Sequence, residues 1–249
     1  AACPAGRFGS AQQLSDAQCS GPAARGHWCP KGSSNDTAIP CSAGTYNPAT
    51  GGTSDASCQR CQRGSFCVAG SVEPEECAAG RYGSETGLTT ASCSGECEQG
   101  YWCAAGSVSA KAAACAEGSY GNASGLVSQA NCSNCPAGHA CPEAATAPIP
   151  CSPGTSQPEP NKGACDECAA GSFQGEGGAT ACAKCTPGSF CVDRSTTPIP
   201  CPPGTVGAPA GLASESSCED VPAGSWAPTG SAAAEECVSH RAHEPLTPL

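Results

Sequence analysis

Cysteine recurs along this chain at a spacing that decides most of what it can become. Counting from Cys3, Cys41, Cys77, Cys115, Cys151, Cys201 and Cys237, the steps are 38, 36, 38, 36, 50 and 36 residues. Most units read as one cysteine (a), 15 or 16 residues, a second (b), two or three residues, a third (c), five residues, a fourth (d), then nine or eleven residues to the next a. Self-similarity at such a period marks a repeat array, in which each unit leans mainly on its neighbours. In the step of 50, Cys151 and Cys165 form one short half, and Cys168, the next c in register, acts as a fresh a for Cys182.

That substitution works because both halves open alike, with Cys-x-x-Gly-x-aromatic. Phe8, Tyr46, Tyr82, Tyr120 and Phe173 lie five residues after an a position, and Trp28, Phe66, Trp102, Phe190 and Trp226 five after a c position. Only Tyr101, beside Trp102, falls outside this rule. Glycine stands three residues after the same positions, at Gly6, Gly44, Gly64, Gly80, Gly100, Gly118, Gly138 and Gly188. A turn with positive φ, or a close backbone approach, is expected there. The aromatic is then expected to pack on a disulfide or on a neighbouring turn.

With 24 Cys in 249 residues but only 21 Val, Ile, Leu and Phe together, the chain cannot build one large core. Many small clusters held by covalent links are the alternative. The expected fold is therefore small disulfide-rich repeats in an elongated rod with short β-hairpins and little regular secondary structure. Strands of three or four residues and no helix are anticipated, and AIPC, PIPC and TPIPC before Cys41, Cys151 and Cys201 are read as polyproline connectors. The segments are 1–40 (repeat 1, one Cys missing), 41–76, 77–114, 115–150, 151–200 (with the extra half-unit), 201–237 (two Cys missing) and a tail, 238–249.

The pairs Cys58/Cys61, Cys132/Cys135, Cys165/Cys168 and Cys182/Cys185 match CxxC, so zinc and redox chemistry must be weighed. Against zinc, Cys93 to Cys97 widens to CxxxC without disturbing the rest, which a tetrahedral site would not tolerate. Against redox, the βαβ setting of a reactive CxxC is missing. Disulfides remain, and the irregular units limit their connectivity. Val221 and Ala227 replace c and d together while Cys201 and Cys218 persist, as an a–b, c–d scheme requires. The expected long loops are Cys3–Cys19, Cys41–Cys58, Cys77–Cys93, Cys115–Cys132, Cys151–Cys165, Cys168–Cys182 and Cys201–Cys218. The short ones are Cys61–Cys67, Cys97–Cys103, Cys135–Cys141 and Cys185–Cys191. Ala23 stands where the partner of Cys29 belongs, so Cys29 and Cys237 are left free, locally rearranged or bonded to another chain.

No catalytic constellation emerges: there is no GxSxG, HExxH, phosphate loop or EF-hand loop. His27 and His139 sit within tight repeat turns beside the aromatic positions; His240 and His243, in the tail, could touch a metal, but surface polar residues are the better reading of them. Glu75–Glu76 and Glu235–Glu236 precede Cys77 and Cys237 at one repeat position, which favours a structural role over paired-carboxylate chemistry. No metal and no cofactor is expected. The net charge of −11 without a basic run excludes the usual nucleic-acid footprint and disfavours an anionic membrane surface. No run of about 18 apolar residues offers a membrane span, and no N-terminal signal peptide is evident. Because Met is absent, even at position 1, the sequence is expected to be a processed chain or a segment of something longer, with any anchor outside it. Sequons at Asn35, Asn122 and Asn131 make N-linked glycans an expectation, weaker at Asn131, whose middle residue is Cys132. Thr146-Ala-Pro and Thr196-Thr-Pro suit O-linked sugars.

The stretches CSAGTYNPATGGTSDASCQRCQRGSFCVAGSVEPEEC, 41–77, and CAAGRYGSETGLTTASCSGECEQGYWCAAGSVSAKAAAC, 77–115, resemble the ephrin-receptor-like, or glycine-cysteine-cysteine, repeats. Those repeats are similar to tumour-necrosis-factor-receptor cysteine-rich modules. The resemblance covers roughly residues 3 to 237, with departures at Ala23, Val221 and Ala227. Long arrays of this type occur in large extracellular proteins of algae and other protists, including mastigoneme glycoproteins of green-algal flagella. It implies an extracellular, non-enzymatic structural or assembly glycoprotein, in a filament or cell-surface coat, with other protein subunits or itself as partner. A receptor or adhesion ectodomain is the alternative, with Tyr101 and Trp102 as the candidate contact, since aromatics concentrate binding energy.

Overall fold

The computed structural model describes residues 2–10 and 19–237. It divides into two compact units, one running to Ser133 with Glu143–Ala147, the other made of Asn134–Pro142 and the chain from Pro148. The tail, with His240 and His243, lies outside the described residues.

Within these units thirteen two-stranded hairpins recur, each with two residues per strand. The first strand is the residue after the first-turn glycine plus the aromatic position; the second is the pair of residues just before the next c or a. Ser65–Phe66 against Glu75–Glu76 is typical. The expected strands of three or four residues are too long, for a covalent reason. Where the next residue is a d cysteine it must turn back to reach c, and its N–H leaves the hairpin altogether: Cys67 N–H donates to the Leu88 carbonyl at 2.9 Å.

The polyproline reading is also corrected. Ile39–Pro40, Ile149–Pro150 and Ile199–Pro200 are second strands of hairpins. Next to each, the following cysteine N–H bonds the first-turn glycine, as Cys41 does to Gly26 at 2.9 Å. Proline therefore takes the non-hydrogen-bonded place, where its missing N–H removes no ladder bond.

Helix is confined, among the described residues, to the single 3₁₀ turns Asp55–Ser57, Gln129–Asn131 and Glu215–Ser217. They follow from loop length. Where a and b are 17 apart, as at Cys41–Cys58, Cys115–Cys132 and Cys201–Cys218, the extra residue is taken up by this turn. Where they are 16 apart, b itself adopts a left-handed backbone, φ 56° at Cys19 and 52° at Cys93.

The half-units are joined by backbone bonds that do not depend on side-chain identity. The first-turn glycine donates to the residue after the next aromatic position: Gly44 N–H to Cys67 O at 2.8 Å, and, in the second unit, Gly171 N–H to Cys191 O at 2.8 Å. A second turn, late in each half-unit, donates back to the opening residue of the preceding one, as Gly70 does to Cys41 and Gly211 to Cys185, both at 2.9 Å. Seven aromatic positions complete the join through parallel bridges, among them Phe66 with Leu88, Trp102 with Leu126 and Phe190 with Leu212. In each unit the core consists chiefly of cysteines: among the fully buried side chains the cysteines dominate, and Phe66 and Phe190 are the only buried rings among the described residues.

Candidate functional site

The covalent frame comes first, because every other group hangs on it. The structure joins Cys3 to Cys19, Cys41 to Cys58, Cys61 to Cys67, Cys77 to Cys93, Cys97 to Cys103 and Cys115 to Cys132. It also joins Cys135 to Cys141, Cys151 to Cys165, Cys168 to Cys182, Cys185 to Cys191 and Cys201 to Cys218. Each CxxC pair is thus split between two disulfides; Cys58 bonds Cys41 while Cys61 bonds Cys67. Among the described residues no three His, Cys, Asp or Glu side chains gather in a metal-holding group. Restricting the unfolded chain, each long loop contributes on the order of 3 kcal/mol. Eleven disulfides mark a chain that folds in oxidising surroundings, as extracellular and secreted proteins do.

Cys29 and Cys237 are unpaired. They differ in access. Cys29 is fully buried, as is Ala23, and its thiol donates to the Asn35 carbonyl at 3.3 Å. Such a sulfur is not placed to reach another chain. Cys237 is exposed, and its N–H bonds Gly224 O at 2.9 Å, the bond that opening cysteines make elsewhere.

One position escaped sequence reasoning. Six residues after an opening cysteine, the c halves place the d cysteine, and the a halves place Gly83, Gly121, Gly207, Asn47 or Gln157 at the same buried spot. A Cβ added at Gly83 would lie 2.9 Å from Leu88 Cδ1 and 3.0 Å from Cys77 Sγ. Asn47 and Gln157 instead use their amides: Gln157 Nε2 donates to Ala164 O at 2.9 Å, and Asn47 Oδ1 accepts from Ala49 N–H at 3.1 Å. The signal was present as the small or amide residue directly after each aromatic.

Tyr101–Trp102 forms a strand against Ala113–Ala114, so the two rings leave it on opposite faces. Trp102 takes the packing role of its repeat position, with its Nε1 buried and without a hydrogen-bond partner. Tyr101 carries the Lys111 ammonium 5.7 Å from its ring centre, and Lys111 also pairs with Glu98 at 3.3 Å. His27 and His139 donate from Nδ1 to the Arg25 and Ala137 carbonyls at 3.0 and 3.1 Å. Glu75–Glu76 and Glu235–Glu236 are exposed second strands, in which neighbouring side chains diverge. Lys162 is held above the ordinary lysine range by its hydrogen bond to Glu159, 2.9 Å away.

Asn35, Asn122 and Asn131 are exposed. Asn35 and Asn122 sit in loops. Asn131 ends a 3₁₀ turn, its Oδ1 accepting from Ser128 Oγ at 3.0 Å, and Cys132 beside it is tied to Cys115. Among the described residues no helix is long and apolar enough to cross a membrane. Compared with known proteins, the chain matches no protein family and no curated sequence.

Proposed function

We propose that this chain is a non-enzymatic extracellular glycoprotein with a structural role, forming or decorating a filament or cell-surface coat. The observation that carries the reading is the pairing of two networks: a disulfide in almost every half-unit, and, within each compact unit, a backbone ladder between neighbouring half-units. Together they give shape persistence with almost no apolar core. The resemblance to ephrin-receptor-like repeats supports it, and the mastigoneme-type flagellar glycoproteins with such arrays suggest the kind of appendage. Glycans on Asn35 and Asn122 would shield a chain whose backbone lies near solvent.

Immunogold electron microscopy of the native extracellular material tests this. Labels at regular intervals along a filament or coat are the expected result. Isolated labels standing on a membrane would overturn it in favour of a receptor or adhesion ectodomain, the reading that the half-buried Tyr101 with its Lys111 neighbour favours.

A further inference from the structure

The three sequons differ in what stands two residues before the asparagine. Before Asn35 and Asn131 these are Ser33 and Gln129; before Asn122 it is Tyr120. Tyr120 ends the strand Ser119–Tyr120, and its parallel bridge with Ala145 carries the extended backbone on through Gly121. Gly121 is buried, and a Cβ placed on it would lie 2.9 Å from Leu126 Cδ1 and 3.1 Å from Cys115 Sγ, so position 121 faces inward. Alternation along the extended chain then turns Tyr120 and Asn122 to the other side, with Cα atoms about 6.6 Å apart. Tyr120 is half-buried, keeping part of its surface in solvent, and Asn122 is exposed.

The backbone around Asn122 is held while its side chain is not. Gly121 N–H donates to Ala145 O at 2.9 Å, and Gly121 O accepts from Gly100 N–H at 2.8 Å. Asn122 O accepts from Gln99 Nε2 at 3.2 Å, and Ser124 Oγ donates to Glu96 Oε2 at 2.9 Å. Among the described residues no hydrogen bond engages the Asn122 side-chain amide. Asn131, by contrast, uses its Oδ1 on Ser128. A sugar on Asn122 therefore grows from a fixed backbone, next to a ring that is part exposed.

We propose that Tyr120 seats the first sugar of an N-linked glycan on Asn122, the C–H face of the pyranose lying on the exposed part of the phenol ring. In forming the link the Asn122 side-chain nitrogen loses a proton and bonds the anomeric carbon of a glycosyl diphosphate, and the diphosphate departs with the electron pair of the broken C–O bond. Covering the ring takes apolar surface out of water, and its electron-rich face attracts the sugar's C–H groups. Gln99 and Glu96 already fix the chain on either side of the asparagine, so little further ordering is needed. The seated sugar braces the bonds of Gly121 and sets the direction in which the glycan leaves the unit. The inference rests on the glycoprotein reading and goes beyond it by assigning the residue that holds the sugar.

The test uses the secreted full chain, its glycans trimmed by an endoglycosidase to the one sugar on each asparagine. In NMR spectra, Overhauser contacts should join the Asn122 sugar to the Tyr120 ring protons, and the sugar C–H signals should move upfield under the ring. Amide exchange at Gly100 and Gly121 should be about fivefold slower than in the Asn122→Gln chain, which carries no sugar there. In a Tyr120→Leu background, which keeps an apolar side chain for the packing, that difference should fall below about twofold. Around Asn35, which has no ring two residues before it, Ala24 N–H bonds Asp36 O at 2.8 Å, and its exchange should be the same with the sugar and in Asn35→Gln. An Asn122 sugar without ring contacts, or an exchange difference that persists in Tyr120→Leu, overturns this proposal alone and leaves the glycoprotein reading standing. An Asn122 without sugar overturns the proposal together with the glycan it rests on, while the microscopy still decides the assembly reading by itself.

Discussion

Ala23→Cys should close a twelfth disulfide, with Cys29. Position 23 opens its half-unit as Cys61, Cys97, Cys135 and Cys185 open theirs, and Cys29 waits six residues on. In those four short loops the joined Cα atoms lie 5.9 or 6.1 Å apart. The backbone at Ala23 already plays the common part, since Ala23 N–H donates to Gly6 O at 2.9 Å and Ala23 O accepts from Gly51 at 2.8 Å. For a loop of about seven residues the chain-entropy relation gives about 8 cal/mol/K, or roughly 2.3 kcal/mol at room temperature. Losing the weak thiol bond to Asn35 removes a few tenths, which leaves about 2 kcal/mol. An array loses cooperativity along its length, so the gain should be read locally. Hydrogen exchange at the Gly26 and Cys29 amides, which bond Asn47 and Gly52 at 2.8 and 2.9 Å, should slow by about 30-fold. Thiol titration in denaturant gives the covalent answer: the native chain has two free thiols, and the variant should have one, on Cys237. Three thiols in the variant, or unchanged exchange with the bond in place, would refute the reasoning.

Gly188→Ala and Gly204→Ala place the same methyl on the same backbone, but only the first meets a roof, the Gly230 carbonyl. The first should open the 230 turn and cost about 3 kcal/mol or more, the second only the left-handed strain of about 1 kcal/mol; equal effects in urea unfolding would sink the packing argument. Ala144 has φ 61° where glycine usually stands, so Ala144→Gly should raise local stability by about 0.5–1 kcal/mol, against the usual direction for that change, as amide exchange near Ala145 would reveal. Glycopeptide mass spectrometry of the native protein should find sugar on Asn35 and Asn122 and none on Asn131; full occupancy at Asn131 would mean the sequon is used before Cys132 is bonded.

What was legible in the sequence is what covalent geometry dictates. Cys-x-x-Gly-x-aromatic recurs in most half-units, and Cys168 could be read as a fresh opening because the halves share one backbone. Less legible was anything decided by a single residue of loop length or by register. One extra residue between a and b separates the 3₁₀ turn before Cys58 from the left-handed Cys93, and no composition signal distinguishes them. Pro40, Pro150 and Pro200 resembled connectors because proline usually opposes strands; only the register shows that their places require no N–H. The second turn was hidden for another reason. Ala144, Asn161 and Arg194 adopt its left-handed backbone at 60–62° without being glycine, which blurs the pattern that Gly51, Gly70 and Gly87 would otherwise draw.

The irregular half-units show which network sets the fold and which secures it. Val221 stands in for a cysteine, yet its N–H still donates to Gly204 O at 3.0 Å, and Ala227 O still accepts from Gly204 at 2.9 Å. Ala23 keeps both of its ladder bonds. A half-unit therefore survives the loss of its disulfide while keeping its shape, because the ladder uses only backbone groups and the glycines that let them approach. The reverse substitution is not found: ten first-turn glycines sit beneath a carbonyl, and none of those places holds a larger residue. Backbone complementarity thus defines the repeat, while disulfides lower the entropy of the unfolded chain and supply, in place of aliphatic side chains, the buried volume of the half-units. A chain built this way can vary its exposed residues freely, since neither network reads them.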